Sequence, residues 1–555
     1  MRRALLLVLL AGCEARFEVP QVGGSTAETI APPIDAPVPT QKLTDGWPGF
    51  IPTETFQLRR LTTDQYVSTV TALLGVSATG MPPIEPVSPV NGFQSIGASA
   101  SVVSGGGVGQ YEDASIFFSA QALSTPSLRT RNVPCAPSGV LDTTCFRAFV
   151  SQFGPKAFRR PLAPDEVDRY ATLVADVATL TSDPWAGIEA GLSAFLQSPN
   201  FLYLSEVGEA DPSRPGRFRF TAPELAARLS YFLTQGPPDA ALLAAAASGE
   251  LFTDDGVKAQ AERLLSLPAA RTAVRGFFTE LLALNSLDNL SRPTTLFPRF
   301  TPTLGAALKE ETLLALEDAT FGTDRDYRAL FDAEATYVNA ELAAFYGLPV
   351  PSTPGFSRVA FPAGSPRGGL LSQAGVLAPH DNGPTTSPTR RGLFVLDRLL
   401  CQPLALSPPS DLDIPPPPTG TLTARQRLEQ HVSNPTCAAC HQKMDGVGLS
   451  LERFDSLGVY RETERGLPID DSGALDGQTY AGAKGLGSLL RSHPAVSPCL
   501  ASAAYAAGVG HRLTEFDKDG FGRALGGFDQ SGSKVRALLL SITLSEGFRS
   551  PPAGN

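Results

Sequence analysis

Several features are scarce in this chain, and each scarcity narrows what the chain can be. Basic residues are in deficit: 45 Lys and Arg stand against 55 Asp and Glu in 555 residues, a formal net charge of −10. No basic stripe is present to neutralise phosphates, so nucleic acid is excluded as a partner. The adjacent arginines Arg59-Arg60, Arg159-Arg160 and Arg390-Arg391 are scattered and read as structural. Beyond residues 4–10 there is no apolar run long enough to approach a membrane span. The chain has neither a Gly-x-Ser-x-Gly elbow nor a His-Glu-x-x-His helix, so two common hydrolase signatures are missing. Alternating strand patterns are also rare, with residues 358–361 the best of them. Methionine is limited to Met1, Met81 and Met444, and histidine to five positions.

The N-terminus is organised as an export signal. Arg2 and Arg3 form a positive segment, residues 4–10 an apolar core, and Leu10-Ala11-Gly12-Cys13 a small-residue end. Such an order is similar to the bacterial lipoprotein signal, in which residues 1–12 are removed and Cys13 becomes the lipid-modified N-terminus. Residues 13–54, rich in Pro, Thr and Ala, then suit an extended tether. The expected location is the cell envelope, with the chain lipid-anchored on the periplasmic or outer-membrane side.

One motif carries chemistry. Cys437-Ala438-Ala439-Cys440-His441 has the spacing at which two thiols bond the vinyl groups of haem while the next histidine ligates the iron. Export gives this short motif its weight. Two rival readings are weaker. A Cys437–Cys440 disulfide lacks the surrounding βαβ pattern of a redox CxxC, and zinc would have to use adjacent Cys440 and His441 with no second pair at finger spacing. With Cys13 lipidated and Cys437 and Cys440 on haem, four of the seven cysteines remain, an even number that suits an oxidising compartment. Four cysteines permit three connectivities, and the sequence does not choose among them. The closeness of Cys135 and Cys145 in a turn-rich segment favours that pair, which leaves Cys401 with Cys499.

The rest of the pattern is helical. Leu61, Tyr66, Val67, Val70, Leu73 and Leu74 form a one-face stripe, Thr62 and Gln65 a capping box, and Leu61 with Tyr66 a hydrophobic staple. Thr221 with Glu224 and Thr423 with Gln426 repeat the capping signal. Further helices are predicted at 146–153, 165–178, 185–197, 255–265, 304–319, 335–346, 391–400 and 501–508. Residues 92–109, with Gly105-Gly106-Gly107-Val108-Gly109, read as a flexible loop and not a phosphate cradle, because the Lys-Ser/Thr ending is missing. Glu310-Glu311 reads as a solvated helix face. Asp470, Asp471 and Asp476, like Asp517, Asp519 and Asp529, depart from calcium-loop spacing and read as solvated turns. Breaks at 209–216, 349–355 and the proline-rich spacer 403–420 divide the chain. The resulting modules are 55–134, 135–208, 209–350, 351–480 and 481–555. The fold class is mainly α, a multi-module helical protein with a small CxxCH-containing module near the C-terminus.

In this order the segments resemble the modular proteins built from planctomycete-specific domains and planctomycete-type cytochrome c domains. The resemblance is carried by residues 59–66, by residues 145–170 with Phe158-Arg159-Arg160-Pro161-Leu162, and by Ser198-Pro199-Asn200-Phe201-Leu202-Tyr203 continuing through residues 220–233. It continues in Ser387-Pro388-Thr389-Arg390-Arg391-Gly392, residues 434–461, and residues 485–548. It covers nearly the whole chain after residue 54 and implies a cytochrome c-like module at 351–480. About activity it implies little, since these are largely domains of unknown function.

On this reading the cofactor is one covalent haem c, held by Cys437, Cys440 and His441, with His441 the proximal iron ligand. For the distal position His431 comes first, because Asn434-Pro435 offers a turn that folds the chain over the ring. It competes with a plain surface histidine favoured by the helix dipole. His380 ranks below it, and His493 and His511 read as structural. Met444, three residues after His441, projects toward the same side and reads as packing, while Met81 is distant in sequence. A second histidine favours electron transfer; an open position permits peroxide or oxygen chemistry. The single CxxCH counts against a dihaem peroxidase. The expected function is an envelope lipoprotein in electron transfer or part of a redox enzyme, with a redox protein or an envelope polymer as partner. The alternative is a non-enzymatic binding or scaffold protein in which Cys437 and Cys440 form a structural disulfide or haem site.

Overall fold

The capping signals place helix starts where they were read. In the computed structural model, which describes residues 50–51, 58–404, 421–432 and 435–551, Thr62 accepts from the Gln65 backbone to open the helix Thr63–Leu74. Thr221 and Glu224 open Ala222–Thr234, and Thr423 and Gln426 open Ala424–His431. Cys13, the tether 13–54 apart from residues 50–51, and residues 405–420 of the spacer lie outside the described residues.

The architecture is predominantly helical, and among the described residues strands occur only as two-stranded pairs. Two hydrophobic cores organise it. One gathers Tyr66, Phe118, Phe149, Phe195 and Phe201 from residues 61–204. The other takes Phe93 and Ile96 and then runs from Phe220 to Phe548, including Met444, Val447 and Leu500. The Ala222–Thr234 helix serves both: Leu225, Leu229 and Leu233 enter the second core, whereas Ala227 and Tyr231 enter the first. The Tyr231 hydroxyl meets Thr69 Oγ1 at 2.7 Å across that seam.

The paired arginines are structural, as the sequence indicated: Arg59 and Arg160 pair with Glu206 and Glu166, and the others bind carbonyl oxygens. Arg60, 1% exposed, reaches the Glu85 carbonyl and the Tyr111 hydroxyl. Arg159 donates to the carbonyls of Asn200, Phe201 and Tyr203 at 2.9, 3.1 and 2.8 Å. Arg391 does the same for the segment that follows the CxxCH helix. Cys135 bonds Cys145, and Cys401 bonds Cys499 across 98 residues.

Three expectations fail for physical reasons. Gly105-Gly106-Gly107 is the first turn of the helix Gly105–Ala122, not a loop: Ser104 caps it by accepting from Gly107 N at 3.0 Å. A Cβ at Gly107 would fall on the Glu85 carboxylate, which Ser104 N holds at 3.0 Å, so a larger residue there would displace that side chain. Residues 335–346 split into a strand, Ala335–Val338, and a helix, Ala340–Tyr346, separated by Asn339, which caps the helix. The strand pairs antiparallel with Ser357–Ala360, and β-branched Thr336 and Val338 suit the pleat.

Glu311 is the third. It is fully buried on the inner side of the helix Leu304–Glu317, while Glu310 pairs with Arg275 outside. Thr336 Oγ1 and Tyr346 Oη each donate to Glu311 at 2.6 Å. Both hydroxyls are themselves acceptors, from Gln373 Nε2 and Ala374 N, so their hydrogens point at the carboxylate. Burial nonetheless pushes the carboxyl from 4.5 up to about 7. Between those values the unfolded chain has released the proton and the native chain retains it, so the native state binds more protons and stability falls as pH rises. Glu311→Gln removes this titration at the cost of one hydrogen bond. The variant is expected to be less stable than the parent near pH 5, with the gap closing by roughly 1–3 kcal/mol toward pH 8. Melting temperatures measured across that window check it.

Candidate functional site

The CxxCH motif lies on the helix Pro435–Gly448, which places Cys437, Cys440, His441 and Met444 at i, i+3, i+4 and i+7 on one face. Cys437 and Met444 are buried and packed inward; Cys440 and His441 are half-buried. Both thiols are free, so the disulfide of the alternative reading is not formed. The reason is geometric: three apart on a helix, the Cβ atoms lie about 5–6 Å from each other, beyond the roughly 3.5–4.5 Å of a disulfide. Among the described residues no group of three or more His, Cys, Asp or Glu side chains converges as a metal cluster.

The helix is fixed in place by Ser387-Pro388-Thr389-Arg390-Arg391-Gly392, which forms the turn and start of the helix Pro388–Phe394. These two helices touch backbone to backbone. A Cβ built on Gly392 would fall on the Met444 carbonyl, and one on Gly448 on the Pro388 carbonyl. Arg391, 1% exposed, pairs with Asp381 at 2.8 Å and donates to the carbonyls of Leu451, Phe454 and Asp455, each at 2.8 Å. Glu452 lies 3.8 Å from the same guanidinium. Burial pushes the carboxyls of Asp381 and Glu452 up, and Arg391 opposes it.

Asp445 was not singled out from the sequence. One turn beyond His441 and 4% exposed, its Oδ2 lies 2.9 Å from His441 Nδ1, and its Oδ1 accepts from Thr389 Oγ1 at 2.7 Å. A carboxylate only accepts, so Nδ1 is the donor in this pair and carries a proton. The i, i+4 spacing of His441 and Asp445 on one helix was the available signal; Thr389, 56 residues earlier, left none. The donor set fits a covalently attached haem: two free thiols three apart, then a histidine oriented through its other nitrogen by a held carboxylate.

The remaining ligand candidates are dispersed. His431 ends the helix Ala424–His431, and its side chain lies outside the described residues. His380 stacks on Phe394 with ring centroids 4.1 Å apart. Burial, then the charges of Arg390, Arg391 and Arg398, bring its imidazole down to about 3, so it is neutral throughout the physiological range. His493 is bound to Asp476 at 3.0 Å, and His511 Nδ1 donates to the Arg512 carbonyl at 2.8 Å. Met444 is core packing, as expected, and Met81 packs against the other core. The acidic residues serve the fold: Asp471 pairs with Arg453 and Asp470 with Arg425. Asp517, however, is fully buried and accepts from Thr514, and Asp519 and Asp529 lie on the helix Lys518–Gln530, so these three are not a solvated turn.

The fold and site define a modular helical protein whose cysteine–histidine centre occupies one module. Three family models match it: PSD5, protein of unknown function (DUF1595), at residues 145–206; PSD4, protein of unknown function (DUF1592), at 220–348; and PSCyt3, protein of unknown function (DUF1588), at 367–464. The chain belongs to the proteins built from planctomycete-specific domain modules, and the cytochrome c-like PSCyt3 range contains every residue of the site. No curated protein and no solved structure matches the chain.

Proposed function

We propose that this chain is an exported lipoprotein, anchored through Cys13, that carries one covalent haem c on Cys437, Cys440 and His441 and works in electron transfer or within an envelope redox enzyme. Its partner is a redox protein or an envelope polymer. The observation that carries the reading is the His441–Asp445–Thr389 chain beside two free thiols in a cytochrome c-like module. Bound there, the haem supplies one-electron chemistry. Cys437 and Cys440 provide the thioether bonds, His441 Nε2 the proximal ligand, and Asp445 keeps the Nδ1 proton in place. Expression with the native signal and c-type maturation machinery, followed by acid-acetone extraction and a pyridine haemochrome spectrum, tests the proposal. Haem retained with a c-type α-band supports it. Loss of all haem, where a control cytochrome matures, leaves the scaffold reading.

The carboxylate has a second consequence. Drawing the Nδ1 proton toward Asp445 makes the imidazole more basic, which favours the ferric over the ferrous iron. Asp445→Asn keeps a hydrogen-bond acceptor but removes the charge. Its midpoint potential is expected to rise by on the order of 60 mV, equivalent to tenfold in a one-electron equilibrium. Spectroelectrochemical titration of the two proteins measures it.

A further inference from the structure

A cavity of about 510 Å³ opens at the seam between the two cores, within the 300–1,000 Å³ typical of small-molecule sites. Its walls come from residues 62–68 and 94–95, from the end of the helix Ala222–Thr234, from the length of the helix Pro268–Leu281, and from Val496–Val509 and Val535–Thr543. None of the thiol–histidine residues lines it.

Polar groups in this wall are poorly used by the fold, Arg59 Nε, Ser95 Oγ and Glu280 among them. Ser95 Oγ is buried without a hydrogen-bond partner. A buried unsatisfied hydroxyl costs about 1–3 kcal/mol, and folded proteins keep few of them without reason. Glu280, half-buried, accepts from Gln94 N at 3.2 Å. Burial first, then the Asp64 charge, pushes its carboxyl up to about 7, so near neutral pH it is in part a hydrogen-bond donor. Both cations lining the cavity are ion-paired, Arg59 with Glu206, which it shares with Arg228, and Lys309 with Asp288 on the same wall, at 2.8 Å each. With Asp64, Glu280 and Asp288 also in the lining, carboxyl groups outnumber cations there, which disfavours an anionic ligand. Beside these charged groups the wall offers neutral ones: the amides of Gln94 and Gln235, the Ser95 hydroxyl, and the flank of Phe277, which stacks on Phe93. Amides and hydroxyls beside an aromatic flank suit a ligand with many hydroxyls and an apolar ring face.

We infer that this cleft binds a short, uncharged glycan, with Ser95 and Glu280 hydrogen-bonding its hydroxyls and Phe277 flanking a sugar ring. The inference does not depend on haem, and it gives the helical modules around the cytochrome-like module a role of their own. Saturation-transfer NMR on the full mature chain tests it, with cellotriose, maltotriose and N-acetylchitotriose as neutral probes and the glucosamine trimer as a cationic one. At least one neutral trisaccharide is expected to bind, and Ser95→Ala and Glu280→Leu each to weaken it about tenfold. Thr272, exposed at the rim, supplies a variant that spares both cores: Thr272→Arg should abolish binding while leaving melting temperature and haem content unchanged. Failure of all three neutral sugars, binding of the glucosamine trimer alone, or binding indifferent to Thr272→Arg would each overturn it.

Discussion

Replacing Cys437 and Cys440 together by alanine is expected to leave a folded chain with no haem that survives acid-acetone extraction. Covalent attachment needs both the thiols and the spacing, and the chain has no second CxxCH to substitute. Either single variant leaves one thioether position and is expected to retain haem at reduced yield. The double variant should keep its helical circular dichroism, because the helix Pro435–Gly448 is held by contacts that do not depend on the two thiols: Gly392, Gly448 and the inward-facing Met444 and Val447. Losing the buried Cys437 side chain itself costs only about 1 kcal/mol. The haemochrome band and the far-ultraviolet spectrum, read on the same preparation, separate loss of cofactor from loss of fold. Acid-resistant haem in the double variant would mean attachment at a site outside the motif. A haem-free double variant that keeps its biological function would instead favour the scaffold reading, in which the haem only staples the module.

Much of this site was legible because covalent haem chemistry is local: five consecutive residues specify it. Its supports were not, since they are tertiary. Thr389 reaches Asp445 across 56 residues, and Arg391 reaches the Leu451, Phe454 and Asp455 carbonyls across 60 to 64. Ser387-Pro388-Thr389-Arg390-Arg391-Gly392 was visible as a segment of family resemblance, yet nothing in its composition says that it props a helix 50 residues away. The cleft at the core seam was invisible for the same reason, being assembled from pieces of the first module, the 209–350 region and the C-terminal region.

The fold divides along similar lines. Capping boxes at Thr62, Thr221 and Thr423 are short-range devices, and each marked a real helix start. Readings resting on residue character alone went wrong where tertiary packing chose otherwise. Glycines 105–107 looked like a loop, but Gly107 makes room for Glu85 inside a helix. The Glu310-Glu311 pair looked solvated, yet hydroxyls from Thr336 and Tyr346 draw Glu311 inward. The Pro268–Leu281 helix, which supplies Glu280 to the cleft, was missed although Pro268 opens it.

Gly392→Ala is expected to be among the most destabilising single methyl additions to this chain. The new Cβ would occupy the position of the Met444 carbonyl, and the neighbouring Gly448 already lies against the Pro388 carbonyl, so neither helix can yield without breaking the other contact. Overpacking against side chains costs about 1–3 kcal/mol. Here the obstacle is backbone, which has no rotamer to change, so the upper end of that range is expected. Arg391→Met attacks the same support electrostatically: it leaves buried Asp381 without its ion-pair partner, while Glu452 keeps Arg461 at 3.0 Å, a loss of about 3–5 kcal/mol. Both variants should lower the melting temperature of the haem-loaded protein, yet neither alters the five residues that attachment requires. Covalent haem content is therefore expected to stay near the parent value while the Asp445–His441 geometry loosens and the midpoint potential broadens or drifts upward. A fall in covalent haem equal to the fall in stability would show instead that attachment reads the folded module and not the motif alone.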